Sequence, residues 1–298
     1  MGHMPSTQSR CLGLLVTLLL AACSGPAGPS MSRTPSPKPA AASPAPSPPT
    51  SNSPGTASHV FVIVMENHGF ATAIAQPYTA RLAAQYAVAT NYHAVAHPSL
   101  PNYLALTSGS TWGITDDGYH RLPPGGLGDQ LSQAGVSWRA YMEGMGSDCL
   151  ASDSSYAVKH NPFAYYGGRC PPNVVPLTAL QRDLAPGTPR FVWITPDMCH
   201  DGHDCSAATA DDFLSSLVPK ILATPAWQHG GLLLLTWDED DGSTSNRVLT
   251  LAVSPHVAAH ESAQVYDHYS LLATVEDSLG VSRLGKAAQA TPLTDLTG

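Results

Sequence analysis

Residues 59–65 read HVFVIVM, and the two that follow are Glu66 and Asn67. The run is apolar and rich in β-branched side chains, with no alternation of polar and apolar positions. Such a run suits a strand covered on both faces. Three further segments have the same character: 190–195 (RFVWIT), 231–237 (GLLLLTW) and 248–253 (VLTLAV). Between and after them, 77–87 (PYTARLAAQYA), 211–223 (DDFLSSLVPKILA) and 266–279 (YDHYSLLATVEDSL) place apolar residues three and four apart, and the last stops before Gly280. That spacing is helical. Strands alternating with helices predict an α/β domain: a mostly parallel central sheet with helices on both faces. Polar pairs follow three of these strands: Glu66-Asn67, Pro196-Asp197 and Asp238-Glu239. In open α/β sheets ligands bind outside the carboxyl ends of the strands, so these pairs mark the expected site.

The chain has 298 residues. A basic start, the apolar run 12–22 and the sequence Leu20-Ala21-Ala22-Cys23 predict a signal peptide over 1–22 and lipidation of Cys23. Ordinary secretion is the other reading of the same leader. Residues 24–57 are mostly Pro, Ser, Ala and Thr. They lack the apolar surface needed to offset ordering and predict, with Cys23, a disordered tether. Residues 58–298 are left as one domain. Arg10, Arg33 and Lys38 are the only charged residues before it, so of 14 basic residues 11 remain against 22 acidic ones, a formal charge of −11. That excludes a nucleic-acid footprint, which needs a basic face, and any anion must be held by a few local groups. Of six cysteines, four lie in the domain. An even number in an exported domain predicts disulfides, with the local couples Cys149–Cys170 and Cys199–Cys205 favoured over the other two connectivities or a cysteine metal site.

The segment 97–103 (HPSLPNY) sets a hydroxyl, Ser99, three residues before the amide of Asn102. A serine is a weak nucleophile until a base or metal activates it. Glu66, Asn67, Asp238 and Glu239 offer hard oxygen ligands for a divalent cation. Asp240, Asp241 and Gly242 read as a solvated turn. These three segments together predict metal-assisted attack by Ser99 on phosphorus. The run 197–205 (DMCHDGHDC) is dense in His and Asp, and within it His203 is the expected hydrogen-bond donor or general acid, with Asp204 beside it. Lys159-His160 adds a cation and an imidazole. His97, beside the nucleophile, and His268, opening a helix, are further candidates for contact with the reacting group.

Taken together, Glu66-Asn67, the block 97–106 (HPSLPNYLAL), Lys159-His160, Asp201-x-His203-Asp204, the block 236–243 (TWDEDDGS) and His268-Tyr269 resemble the phosphoesterase family of bacterial phospholipases C and acid phosphatases, within the alkaline-phosphatase-like superfamily. The likeness spans most of 58–298 and is strongest to secreted acid phosphatases of the family that act on phosphatidylinositol 3-phosphate. It implies one divalent metal ion held by Glu66, Asn67, Ser99, Asp238 and Glu239. Ser99 is implied as the nucleophile, and Asn102, His160 and His203 as contacts of the phosphoryl group. Two positions depart from the pattern: Gly202 stands where Met is usual and His200 where Asn is common. The expectation is an exported phosphoric monoester hydrolase, acting on a phosphate ester such as a phosphoinositide, at a membrane reached through Cys23. A phospholipase-C-type phosphodiesterase using the same site, and a non-catalytic ligand-binding lipoprotein, are the alternatives.

Overall fold

The computed structural model describes residues 57–298 apart from residue 185. The expected signal peptide, Cys23 and nearly all of the tether lie outside the described residues. The strands are β1 (Val60–Met65), β2 (Ala87–His93), β3 (Trp138–Met142), β4 (Val174–Pro176), β5 (Phe191–Thr195), β6 (Leu232–Trp237), β7 (Arg247–Val253), β8 (His260–Ser262) and β9 (Tyr266–Asp267). They form a single sheet in the order β4-β3-β5-β1-β6-β7-β2-β8, with β9 also paired to β2. Every residue of β1, β5 and β6 is buried. The continuous apolar runs therefore do what they predict, filling the middle of a sheet covered on both faces.

The sheet is mixed, not mostly parallel as expected. β1 runs parallel to β5 and β6, and β3 parallel to β4 and β5. β7, however, is antiparallel to both β6 and β2. The reason is chain length. Nine residues separate Trp237 from Arg247, and a parallel return needs a crossover of a dozen or more.

The expected helices form at Pro77–Gln85, Ala207–Leu222 and His268–Leu279. The last starts two residues later than the pattern suggests, because Tyr266 and Asp267 pair with β2 and the Asp267 carboxylate caps the helix through the Ser270 amide. A helix at Ser99–Ser108 is not foreseen in the apolar run 104–106. Its two prolines sit where they cost nothing, at the cap and in the first turn, whose N–H groups have no intrahelical partner. Gly109, at φ 67°, closes it in the left-handed conformation. This helix is buried along its whole length and packs on His268–Leu279. Among the described residues, no helix is long and apolar enough to cross a membrane. Both favoured disulfides are present: Cys149–Cys170 and Cys199–Cys205.

Glu276, on the His268–Leu279 helix, lies away from the strand ends. Glu276 is fully buried, with Oε1 accepting the Leu284 amide and Oε2 without a partner. Burial pushes its carboxyl up to about 8. A carboxyl whose folded-state value is raised stabilises fully below its unfolded value and loses that contribution as pH rises through the folded one. The thermal midpoint is therefore expected to carry a decline between about pH 5 and 8. Glu276→Gln should flatten that decline. Identical pH profiles for the two proteins would contradict this.

Candidate active site

The register of β1 on β6 sets Met65 opposite Trp237. Glu66 and Asp238 therefore leave the sheet side by side, and the Asp238 amide donates to Met65 O at 2.9 Å. Asn67 turns the chain at φ 56°, a left-handed conformation that Asn tolerates better than most residues. Its amide donates to Asp238 Oδ1 at 3.2 Å. Ser99 arrives from the other side as the first residue of its helix. Its hydroxyl is 3.0 Å from Glu66 Oε2 and 3.3 Å from Glu239 Oε1. Glu66, Ser99, Asp238 and Glu239 are all buried, and Asp238 Oδ2 has no partner. A buried carboxylate oxygen left bare beside two other acids is a costly arrangement. A cation is the group that would complete it.

The electrostatics of the three acids differ. Burial pushes Glu66 up, but the His160 imidazolium, the Tyr103 hydroxyl and Lys159 outweigh it and hold the carboxyl below its usual value. Asp238 is raised well above the carboxylate range by burial and by Glu66 and Glu239. Glu239 is raised by burial and Glu66 in spite of its bond to His97.

His160 is the buried counter-charge. Its Nε2 is 3.2 Å from Glu66 Oε1 and its Nδ1 3.2 Å from Asp201 Oδ2, and its ring stacks on Tyr103 at 5.3 Å. Burial alone would lower it, but the two acids raise it to about 9. The Tyr103 hydroxyl donates to Glu66 Oε1 at 2.6 Å. Tyr103 follows Ser99 by four residues, one helical turn, so the hydroxyl and the phenol share a face. Beyond His160 stands His203. Its Nε2 is 3.0 Å from Lys159 Nζ and its Nδ1 2.8 Å from Asp204 Oδ1. An ammonium only donates, so Nε2 accepts and the Nδ1 hydrogen goes to Asp204. Ligating atoms of Glu66, His160 and His203 lie within 4.8 Å of one another, as do those of Glu143, Asp197 and His200.

Three residues expected to touch substrate make hydrogen bonds within the protein. The Asn102 side-chain oxygen accepts the amides of Val95 and Ala96, and its nitrogen donates to Ala96 O and Pro98 O. Asn102 thus shapes the loop that delivers Ser99. His97 donates to Glu239 Oε2 at 2.5 Å and has its other nitrogen 3.1 Å from Ser243 O. His268 is wholly buried, with Nε2 donating to Asp238 O at 2.6 Å and Nδ1 accepting from the Tyr92 hydroxyl at 2.9 Å. Burial pushes His268 down to about 4, so it stands neutral and props the strand end. In the acid-rich turn Asp240 accepts the Gly242 and Ser243 amides, while Asp241 is exposed. Asp117 does not stand out in the sequence as a site residue, and Asp201 does so only as part of the stretch Asp201-x-His203-Asp204. Asp201 is buried against His160, and Asp117 meets Lys159 at 3.0 Å. No local pattern announces Asp117. Asp201 shares the stapled segment with His203, which is a usable signal.

The family model described as the Phosphoesterase family matches residues 72–282, and the chain belongs to that family. Among its relatives, a phosphatidylinositol-3-phosphatase of Mycobacterium tuberculosis is 33% identical over 254 residues, 82% of this chain and 84% of that protein. A phosphate-repressible acid phosphatase of Penicillium chrysogenum is 30% identical over 259 residues. That alignment covers 80% of this chain but 63% of the longer fungal protein. The expected class, a phosphoric monoester hydrolase, agrees with these names. The fold is alkaline-phosphatase-like: a Vibrio parahaemolyticus member of that superfamily superposes with a TM-score of 0.56 at 11% identity, over 77% of this chain and 68% of the other. A lipoteichoic acid synthase of Listeria monocytogenes gives 0.55 at 10% identity, over 81% and 76%.

Gly202 has a structural reason to be glycine. Its φ is +98°, and a Cβ there would meet His68 Cδ2 at 3.0 Å and Glu66 O at 3.3 Å. Gly202→Ala should cost roughly 1–3 kcal/mol in stability and reduce turnover, because the atoms it crowds are the His68 ring and the Glu66 main-chain oxygen beside the site. Thermal unfolding and steady-state kinetics on one preparation check it. An unchanged midpoint would show that the strain is absent.

Proposed function

We propose that this protein is an exported, metal-dependent acid phosphatase that hydrolyses phosphomonoesters through a phosphoserine at Ser99. One observation carries the reading. A buried serine hydroxyl at a helix N-terminus lies between two carboxylates, beside a third whose outer oxygen is unpartnered. Glu66, Asn67, Ser99, Asp238 and Glu239 would hold the metal, and the Asn67 main-chain N–H also positions Asp238. When bound, a divalent cation lowers the hydroxyl's pKa and neutralises charge on the phosphoryl oxygens.

The chain's own residues do the rest. Glu66 Oε2 accepts the Ser99 hydrogen, leaving an oxygen lone pair for phosphorus. Oγ attacks, the bond from phosphorus to the ester oxygen breaks, and the leaving alkoxide takes a proton. The Lys159–His203 pair supplies that proton. Water then attacks the phosphoserine and gives its proton to the Lys159–His203 pair, while the bond from phosphorus to Oγ breaks, Oγ recovers the hydrogen held on Glu66 and phosphate leaves. The positive end of the Ser99–Ser108 helix favours the charge that develops at the reacting oxygens. His160 keeps Glu66 ionised for this role.

Phosphatidylinositol 3-phosphate is the first natural substrate to test, since it is named in the function of the mycobacterial relative. Anchoring of Cys23 on the outer face of a membrane would hold the site near such a lipid. The deciding experiment compares phosphate release from a chromogenic phosphomonoester, a phosphodiester and phosphatidylinositol 3-phosphate, with and without chelator. Diacylglycerol from phosphatidylcholine, with no phosphate from any monoester, would reject the reading in favour of the phospholipase C alternative.

Ser99→Ala should lower turnover on the order of a thousandfold or more, with the fold intact. Near-normal turnover would mean that water attacks directly. Asp238→Asn should weaken metal binding, with activity partly restored by added metal, while Asp241→Asn should change little. Equal losses in the two variants would overturn the ligand assignment.

A further inference from the structure

Asp117 lies in the segment between the Ser99–Ser108 and Gly126–Gln133 helices. Its carboxylate makes two bonds into the site. Oδ1 accepts the Leu100 amide at 3.0 Å, and Oδ2 accepts Lys159 Nζ at 3.0 Å. Leu100 follows the nucleophile directly, and its N–H is one of the first-turn donors that a helix cannot satisfy internally. Lys159 is the cation that also reaches His203. Asp117 thus brings one negative charge to the main-chain donor next to Ser99 and to the ammonium that acts on Glu66 and reaches His203.

A carboxylate offers two oxygens on one carbon, about as a phosphoryl group offers two of its oxygens on phosphorus. Both groups prefer helix N-termini and cationic side chains. A phosphoryl group held for attack by Ser99 must come within reach of the Leu100 amide. The Asp117 side chain is 31% exposed, so it can leave these donors for water at little desolvation cost. The other acids of the site, Glu66, Asp238 and Glu239, are buried. We propose that Asp117 is an internal competitor for the phosphoryl-binding donors. Its carboxylate holds the Leu100 amide and Lys159 in the resting enzyme and yields them to the phosphate ester. Product phosphate, which lacks the contacts a leaving group makes with the protein, is then the ligand most weakened by the competition. Asp117 would in this way speed the emptying of a site otherwise built to bind phosphate. This inference rests on the phosphatase reading above.

The test uses inorganic phosphate as the probe, on the parent and on Asp117→Ala and Asp117→Asn. Calorimetry gives the phosphate dissociation constant, and inhibition of aryl phosphate hydrolysis gives Ki. Asp117→Ala removes both contacts and the charge, and should tighten phosphate about tenfold by both measures. Asp117→Asn keeps an oxygen for the Leu100 amide but releases Lys159, so its gain should be smaller. KM for the aryl phosphate should fall in the same order without any rise in kcat. A tightening is not what damage to the site produces, so misfolding cannot mimic it. Unchanged or weakened phosphate binding in Asp117→Ala would overturn the proposal and leave Asp117 as a strut for Lys159. A parent that neither hydrolyses the aryl ester nor binds phosphate would refute the phosphatase reading itself.

Discussion

Three carboxylates buried around one hydroxyl cannot all be charged without a counter-charge. Two unit charges 4 Å apart cost about 4 kcal/mol at the effective dielectric of a partly screened site, and burial adds more. The remainder of the site answers this constraint. Glu66 has a buried imidazolium, a phenol and the serine hydroxyl around it, and it stays ionised. Asp238 has a single backbone donor and is driven toward its neutral form. The same repulsion thus acts in opposite directions on two neighbours, according to what else touches each. A proton and a divalent cation would compete for the bare oxygen of Asp238. Metal affinity should accordingly weaken as pH falls.

Much of the histidine-rich environment is scaffolding for these acids. His97 fixes Glu239, His160 fixes Glu66 and His268 props the main chain at Asp238. Each acid has its own imidazole, and the three imidazoles arrive from three separate segments. Asn102 acts one step further out, by shaping the loop before Ser99. Such supporting contacts set the position of ligands as much as the ligands themselves do.

The acids were legible in the sequence because they follow strands whose apolar runs are unmistakable: VFVIVM before Glu66 and LLLLTW before Asp238. The direction of β7 was also written there, in nine intervening residues, but its composition matches that of a parallel strand and conceals it. β2 (AVATNYH) and the short strands β4, β8 and β9 carry too few apolar residues to stand out. The helix at Ser99–Ser108 opens with prolines that argue locally against it. Roles were harder to read than places. Asn102, His97 and His268 have the chemistry of substrate ligands, and the hydrogen bonds they make within the protein depend on partners that no local pattern names. Asp117 gains its meaning from Leu100 and Lys159, 17 and 42 residues away, a pairing that no local pattern encodes.

The position of β1 bears on how the protein comes into being. It is the first strand of the sheet to be synthesised and lies at its centre, yet its neighbours β5 and β6 begin 125 or more residues later. Until they emerge, a wholly apolar strand has both edges unpaired, which is the condition for clumping with other chains. Any factor that binds the chain before β5 and β6 emerge would meet residues 60–65 in this state. The same order of synthesis means that Glu66 stays without Asp238 until β6 docks, so hydrolytic power would appear abruptly, late, and only in chains that have closed their centre.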